Sequence, residues 1–194
     1  MEKNMPILPF TYEFNLITGM SGDGETTKRY LSNMKGQFYD DAAMDKVLEN
    51  SDPLTYEFFE LHLPNTAGDL LFGTSIVYPG KVGDEYFMTK GHFHQILETA
   101  EVYYTLSGKG CMLMETPEGE TSVKFLEPGQ AVYVPPRWAH RSINTGNSPL
   151  ITYFVFRADA GHDYGTIEEK GYHKLVVEGK DGNPEIIDNP KWRR

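Results

Sequence analysis

The stretch Gly91-His92-Phe93-His94-Gln95-Ile96-Leu97-Glu98-Thr99-Ala100-Glu101, read with Val134-Pro135-Pro136-Arg137-Trp138-Ala139-His140 further along, decides how this sequence folds. In an extended strand, residues two apart face the same side, so His92 and His94 point together and Phe93 points away. Glu101 opens the next alternating run after the loop Gln95 to Ala100, and a neighbouring strand can bring its carboxylate beside both rings. His140 heads a later run of the same kind. A lone His-x-His pair is usually ordinary surface or core histidine; the weight comes from three imidazoles and one carboxylate inside strand-like sequence. Such a donor set suits Fe(II), Mn(II), Ni(II), Zn(II) or Co(II) and leaves coordination positions open, as catalysis requires. His92, His94, Glu101 and His140 are therefore the expected ligands of one divalent transition metal per chain.

Working outward from this stretch, the same texture continues. Runs rich in Val, Ile, Tyr and Phe predict strands over Leu70–Tyr78, Tyr86–His94, Ala100–Leu106, Cys111–Thr116, Val123–Phe125, Ala131–Val134, His140–Asn144 and Leu150–Arg157. Turn residues separate them, among them Pro79-Gly80, Ser107-Gly108-Lys109-Gly110, Pro128-Gly129 and Asn144-Thr145-Gly146. Short strands at regular spacing with turn signals between them predict an all-β sandwich or barrel. His173 to Asp188 offers two more strands, and Ile7 to Ile17 is apolar and strand-like. One helix is predicted over Asp41–Glu49, with Met44, Val47 and Leu48 on one face, a cap at Asp40 or Asp41, and a stop at Ser51-Asp52-Pro53. Residues 1–53 are expected to form an N-terminal extension carrying that helix, and residues 54–194 the barrel, in one domain overall.

Composition narrows the function. The 194 residues carry a formal net charge of −10, which opposes nucleic acid at long range and leaves any phosphate site dependent on local donors. Cys111 is the sole cysteine, so no intramolecular disulfide forms, and a small buried apolar role is expected for it. No stretch approaches the ~20 apolar residues of a membrane span. Met1 to Phe10 shows no signal-peptide pattern, and the cytoplasm is the expected location.

Two spaced motifs carry a resemblance. His92-x-His94, Glu101 and Gly108, then Gly129, Pro135, His140 and Asn144, resemble the two cupin motifs, with a longer loop than usual between His94 and Glu101. A single cupin (jelly-roll) barrel is what this implies. Thr89-Lys90-Gly91-His92-Phe93-His94, Ala100-Glu101-Val102-Tyr103, Tyr133-Val134-Pro135-Pro136 and Ala160-Gly161-His162-Asp163-Tyr164-Gly165 are more specific. They resemble the cupin-type phosphoglucose isomerases from about Ser32 to the C-terminus. That family interconverts glucose 6-phosphate and fructose 6-phosphate, in glycolysis and gluconeogenesis, so the resemblance implies a small phosphorylated sugar as substrate and Fe(II) as the foremost metal. It also implies phosphate donors at Ser75, Thr89, the Gly91 N–H and the Tyr164 hydroxyl, and a sugar-contacting or proton-handling role for His162.

For such an isomerisation Glu101 is the expected base, tuned by the Tyr103 hydroxyl, on a cis-enediol route; a metal-assisted hydride shift is the rival route. Two departures stand out. Phe156 replaces a tyrosine common in the family, and Arg137 replaces a usual glycine, where it is expected to alter the turn and to offer the phosphate a positive partner. A homodimer is expected, paired through the run Ile7 to Ile17. Alternatives from other classes are a cupin dioxygenase and a non-catalytic sugar-binding or storage cupin, because fold alone does not name a reaction.

Overall fold

The structure, a computed structural model, describes residues 8–21, 26–61 and 63–192. Its strands all pair antiparallel. A six-stranded sheet runs in the spatial order Thr27–Tyr30, Leu54–Glu60, Leu70–Val77, Leu150–Arg157, Glu101–Ser107, Ala131–Val134. A three-stranded sheet of Ala139–Asn144, Gly110–Glu115 and Thr121–Leu126 packs against it. Side chains from both, among them Tyr103, Met112, Met114, Val134, Phe154 and Phe156, form one core. A third sheet orders Pro184–Asp188, Lys174–Glu178, Glu85–Tyr86 and Lys81–Val82. It helps build a second core with Leu31, Met34, Phe38, Val77, Met88 and Tyr172. The expected all-β jelly-roll is what the chain forms.

Period-two patterning sets which residues reach the interior. Along Glu101–Ser107, Glu101, Tyr103 and Thr105 are buried while Val102 and Tyr104 face outward. Every residue of Ala139–Asn144 is buried, because that strand is covered on both faces. The helix spans Asp41–Leu48, and the Asp40 carboxylate accepts from the Ala43 N–H at 2.9 Å, which makes Asp40 the cap. The cysteine at 111 is fully buried, and burial pushes its thiol up to about 12, so it stays protonated and unreactive.

Several expectations are corrected. The run predicted as a strand over Tyr86–His94 holds strand structure only at Glu85–Tyr86; beyond it the chain makes isolated bridges, Met88 to Ile143, His92 to His140 and Phe93 to Asp163. Between the bridges at Met88 and His92 the chain bulges, and there Gly91 takes a positive φ of 74°. The apolar run at the N-terminus is no strand over its described residues 8–17 (Ile7 lies outside them). It turns at Asn15, whose side chain accepts from the N–H groups of Ile17 and Thr18, and makes one bridge, Phe14 to Ser21. Its rings lie on the outer face of the large sheet instead: Phe10 on Phe72, Tyr12 on Phe59, Phe14 on Tyr153. Strands Thr27–Tyr30 and Leu54–Glu60 and helix Gly165–Lys170 were not anticipated. The first strand, inside the segment expected as an extension, pairs with the second and enters the main sheet.

Arg137 stands in the turn before strand Ala139–Asn144. Arg137 adopts φ 72°, the left-handed conformation that glycine takes freely and that costs other residues about 1–2 kcal/mol. Its N–H bonds to the Leu97 carbonyl at 2.7 Å, which pins the turn in place.

Candidate metal centre

Three elements converge on the site. The bridge between His92 and His140 ties the first motif to strand Ala139–Asn144, and Glu101 enters from the neighbouring sheet as the first residue of its strand. The ligand atoms of His92, His94, Glu101 and His140 all lie within 4.8 Å of one another. Glu101 Oε2 stands 3.1 Å from His94 Nε2 and 3.0 Å from His140 Nε2. The Nε2 atom of His92 is buried with no hydrogen-bond partner, and that of His140 is buried and meets only Glu101 Oε2. Buried polar atoms left in this way call for a partner. Ligands placed at about 2.0–2.2 Å around one ion stand roughly 3–4 Å apart, so three nitrogens and one oxygen at this spacing fit a divalent transition metal.

The surroundings orient the rings. Thr99 Oγ1 donates to the Ile96 carbonyl at 2.7 Å and so accepts from His94 Nδ1, also at 2.7 Å. This places the His94 proton on Nδ1 and leaves the Nε2 lone pair facing inward. The Trp138 carbonyl lies 3.4 Å from His140 Nδ1 and favours the same tautomer there. Trp138 thus acts on His140 through its backbone, while its ring packs against the neighbouring core. Burial, then the neighbouring His140 and His162, lower the His92 pKa well below its ordinary value, so its imidazole is neutral, the form that ligates a metal. Burial first, then the Glu101 charge and hydrogen bond, raise the Tyr103 hydroxyl well above its ordinary value, so it remains a donor.

A cleft of about 540 Å³, its open mouth included, lies against this cluster. Ser75, Thr89, Gly91, Tyr103, His162 and Tyr164 all line it together with His92, Glu101 and His140 of the cluster. His94 lies behind, its ring stacked toward Phe156 at 6.1 Å. Segment 160–163 is pinned across the site by backbone bonds: Phe93 and Asp163 exchange both, and the Ile96 N–H bonds to Ala160 at 2.9 Å. The longer loop after His94 therefore has a task, since it holds the segment that carries His162.

Some wall residues were not foreseen. Tyr56, Phe58 and Glu60 come from a strand the sequence pattern did not reveal. Ser142 was within reach, because it stands two residues beyond His140 on a strand and shares its face. Phe156 lines the wall as an apolar residue. Arg137 does not, against expectation: its exposed side chain reaches Glu98 at 3.5 Å and Glu118 at 3.4 Å, so it is spent outside the cleft and offers no positive partner there.

Comparison with known proteins agrees with this architecture. Residues 28–193 match the family model described as glucose-6-phosphate isomerase. The glucose-6-phosphate isomerase of Thermococcus litoralis is 51% identical over 185 residues, 95% of this chain and 97% of that protein. That of Pyrococcus furiosus is 47% identical over 186 residues, 96% and 98% of the two chains. A more distant one from Sinorhizobium medicae is 38% identical over 189 residues, 96% and 88%. The chain belongs to the glucose-6-phosphate isomerase family.

Proposed function

We propose that this chain interconverts glucose 6-phosphate and fructose 6-phosphate, using a divalent transition metal held by His92, His94, Glu101 and His140. The observation that carries the proposal is a single cleft lined both by this cluster and by the hydroxyl and backbone donors suited to a phosphate, Ser75, Thr89, Gly91 and Tyr164. A bound ion would supply Lewis-acid stabilisation of negative charge on the sugar oxygens, and Fe(II) is the foremost choice among the ions that suit three imidazoles and a carboxylate. The protein's own groups do the rest. The phosphate donors fix one end of the open-chain sugar so that C1 and C2 lie beside Glu101. Glu101, ionised at neutral pH, takes the C2 proton and returns it at C1 through a cis-enediol. Tyr103 lines the same cleft and orients Glu101. His162, whose ring lies 4.4 Å from that of His92, handles protons on the sugar hydroxyls; burial lowers its pKa, leaving it neutral and able to accept one. The test is turnover by the metal-loaded protein of fructose 6-phosphate, with glucose 6-phosphate read by a coupled dehydrogenase. Steady product formation is expected. No product, with oxygen uptake on small organic acids instead, would overturn the reading in favour of a dioxygenase.

The working unit is a homodimer in the cytoplasm. No helix among the described residues is long and apolar enough to cross a membrane. The N-terminal segment covers one half of the large sheet's outer face and leaves the other half, Val102, Tyr104 and Tyr133, exposed at 40%, 43% and 59%. Val102 and Tyr133 are direct cross-strand partners, so they form one patch at a sheet edge, the kind of surface that pairing hides. Light scattering at micromolar concentration is expected to give twice the chain mass of 22.0 kDa. A monomer would reject this assembly, whereas Tyr133→Lys is expected to shift the dimer toward monomer.

A further inference from the structure

Arg141 stands between the ligand His140 and the cleft residue Ser142, and by alternation points away from both, under the cleft. It is 3% exposed, yet among the described residues no carboxylate forms an ion pair with it. A buried charge without an opposite partner is costly and needs a reason. Its contacts supply one. Nη1 meets Met88 Sδ at 3.0 Å, Nη2 donates to Gln37 Oε1 at 2.8 Å and also to the Lys90 carbonyl, and the guanidinium lies 4.4 Å over the Tyr172 ring.

The Lys90 carbonyl and the Gly91 N–H belong to one peptide unit. No peptide among the described residues is cis, so the two point in opposite directions. This unit sits in a bulge. Between the bridges Met88–Ile143 and His92–His140, the first segment has three residues, 89 to 91, and the opposite strand two, 141 and 142. The flanking bonds run from Thr89 N–H to the Ser142 carbonyl and from His92 N–H to the His140 carbonyl, and neither the Lys90 nor the Gly91 N–H donates to this ladder. Only glycine fits the position. Besides its positive φ, a Cβ there would meet the Tyr172 hydroxyl and, at 2.9 Å, the His140 carbonyl.

We infer that Arg141 is a positioning residue for the substrate phosphate: by gripping the Lys90 carbonyl from below, it aims the Gly91 N–H into the cleft. The inference rests on the proposed role of Gly91 as a phosphate donor. The guanidinium also polarises the peptide so that the N–H end becomes a stronger donor. Its charge, in low-dielectric surroundings, gives a dianion a favourable local potential in a chain of net charge −10.

The experiment titrates metal-loaded wild type, Arg141→Met and Arg141→Lys with inorganic phosphate by calorimetry, and measures kcat, KM, metal content and Tm in parallel. Arg141→Met is expected to raise the phosphate Kd and the KM for fructose 6-phosphate by roughly 10–100-fold, the scale of one charge-assisted hydrogen bond. Its kcat and metal content should stay close to wild type, which marks lost binding rather than lost chemistry. Arg141→Lys, which keeps the charge without the planar fork, should fall between and serves alone if the methionine variant does not fold. Phosphate binding within about twofold of wild type in the folded variants would overturn the inference, as would a wild type that binds no phosphate. So would a fall in kcat and metal content with KM unchanged, the pattern of a merely structural residue. The titration reads Arg141 whether or not the sugar turns over. Arg141-dependent phosphate binding without isomerisation would reject the isomerase reading and leave this inference standing, and normal isomerisation with Arg141-independent binding would do the reverse.

Discussion

Glu101→Gln is expected to lower turnover by about 10²–10⁴-fold, the range for removal of a general base. The amide is nearly the same size as the carboxylate, so the buried position between His94 and His140 stays filled. Three imidazoles remain, and most of the metal should stay bound. What is lost is the basic lone pair, since an amide does not accept a carbon-bound proton at neutral pH. The Michaelis constant should change far less than kcat, because Ser75, Thr89, Gly91 and Tyr164 lie on other segments and keep their places. Isomerisation in heavy water separates the two routes. Proton abstraction by Glu101 places solvent deuterium in the product, at least in part, whereas a hydride shift carries the original hydrogen across. Near-normal turnover in Glu101→Gln with metal retained, and no deuterium in the wild-type product, would reject Glu101 as base and establish the hydride route.

His140→Ala should remove bound metal and activity together. His140 Nε2 is buried and meets Glu101 Oε2 at 3.0 Å, inside the cluster proposed to hold the metal. Losing a group that only hydrogen-bonds a ligand costs ~10–100-fold in metal affinity, and losing the ligand itself should exceed that. The backbone bonds that join residues 92 and 140 do not involve the ring, so the fold should persist. Elemental analysis after dialysis reads the metal, the coupled assay reads turnover, and far-ultraviolet circular dichroism reads the strands. His92→Ala should behave alike. Refilling stripped wild type with different divalent ions should restore activity to different degrees, because the ions differ in preferred geometry and acidity. Stripped protein as active as the loaded form would overturn the site altogether.

The residues that local rules govern were legible in the chain. Alternation alone brings His92 and His94 to one side, and turn chemistry separates the runs that become strands Gly110–Glu115, Ala131–Val134 and Leu150–Arg157. Asp40 before an apolar i, i+3, i+4 pattern marks a helix start wherever it stands. The four expected ligands followed from the resemblance of the two motifs, whereas the bridge from His92 to His140 and the entry of Glu101 from the other sheet are not written in either run. Tertiary structure decided what depends on register between distant segments. Tyr56 and Glu60 reach the cleft because Leu54–Glu60 pairs with Leu70–Val77, a pairing no pattern within either run specifies. Arg137 and Arg141 are alike as sequence, both arginines beside His140. One turns outward to Glu98 and Glu118; the other is buried against Gln37, 104 positions away, and Lys90, 51 positions away. A side chain's direction follows from its own backbone, but what it meets there is set by elements folded in from elsewhere.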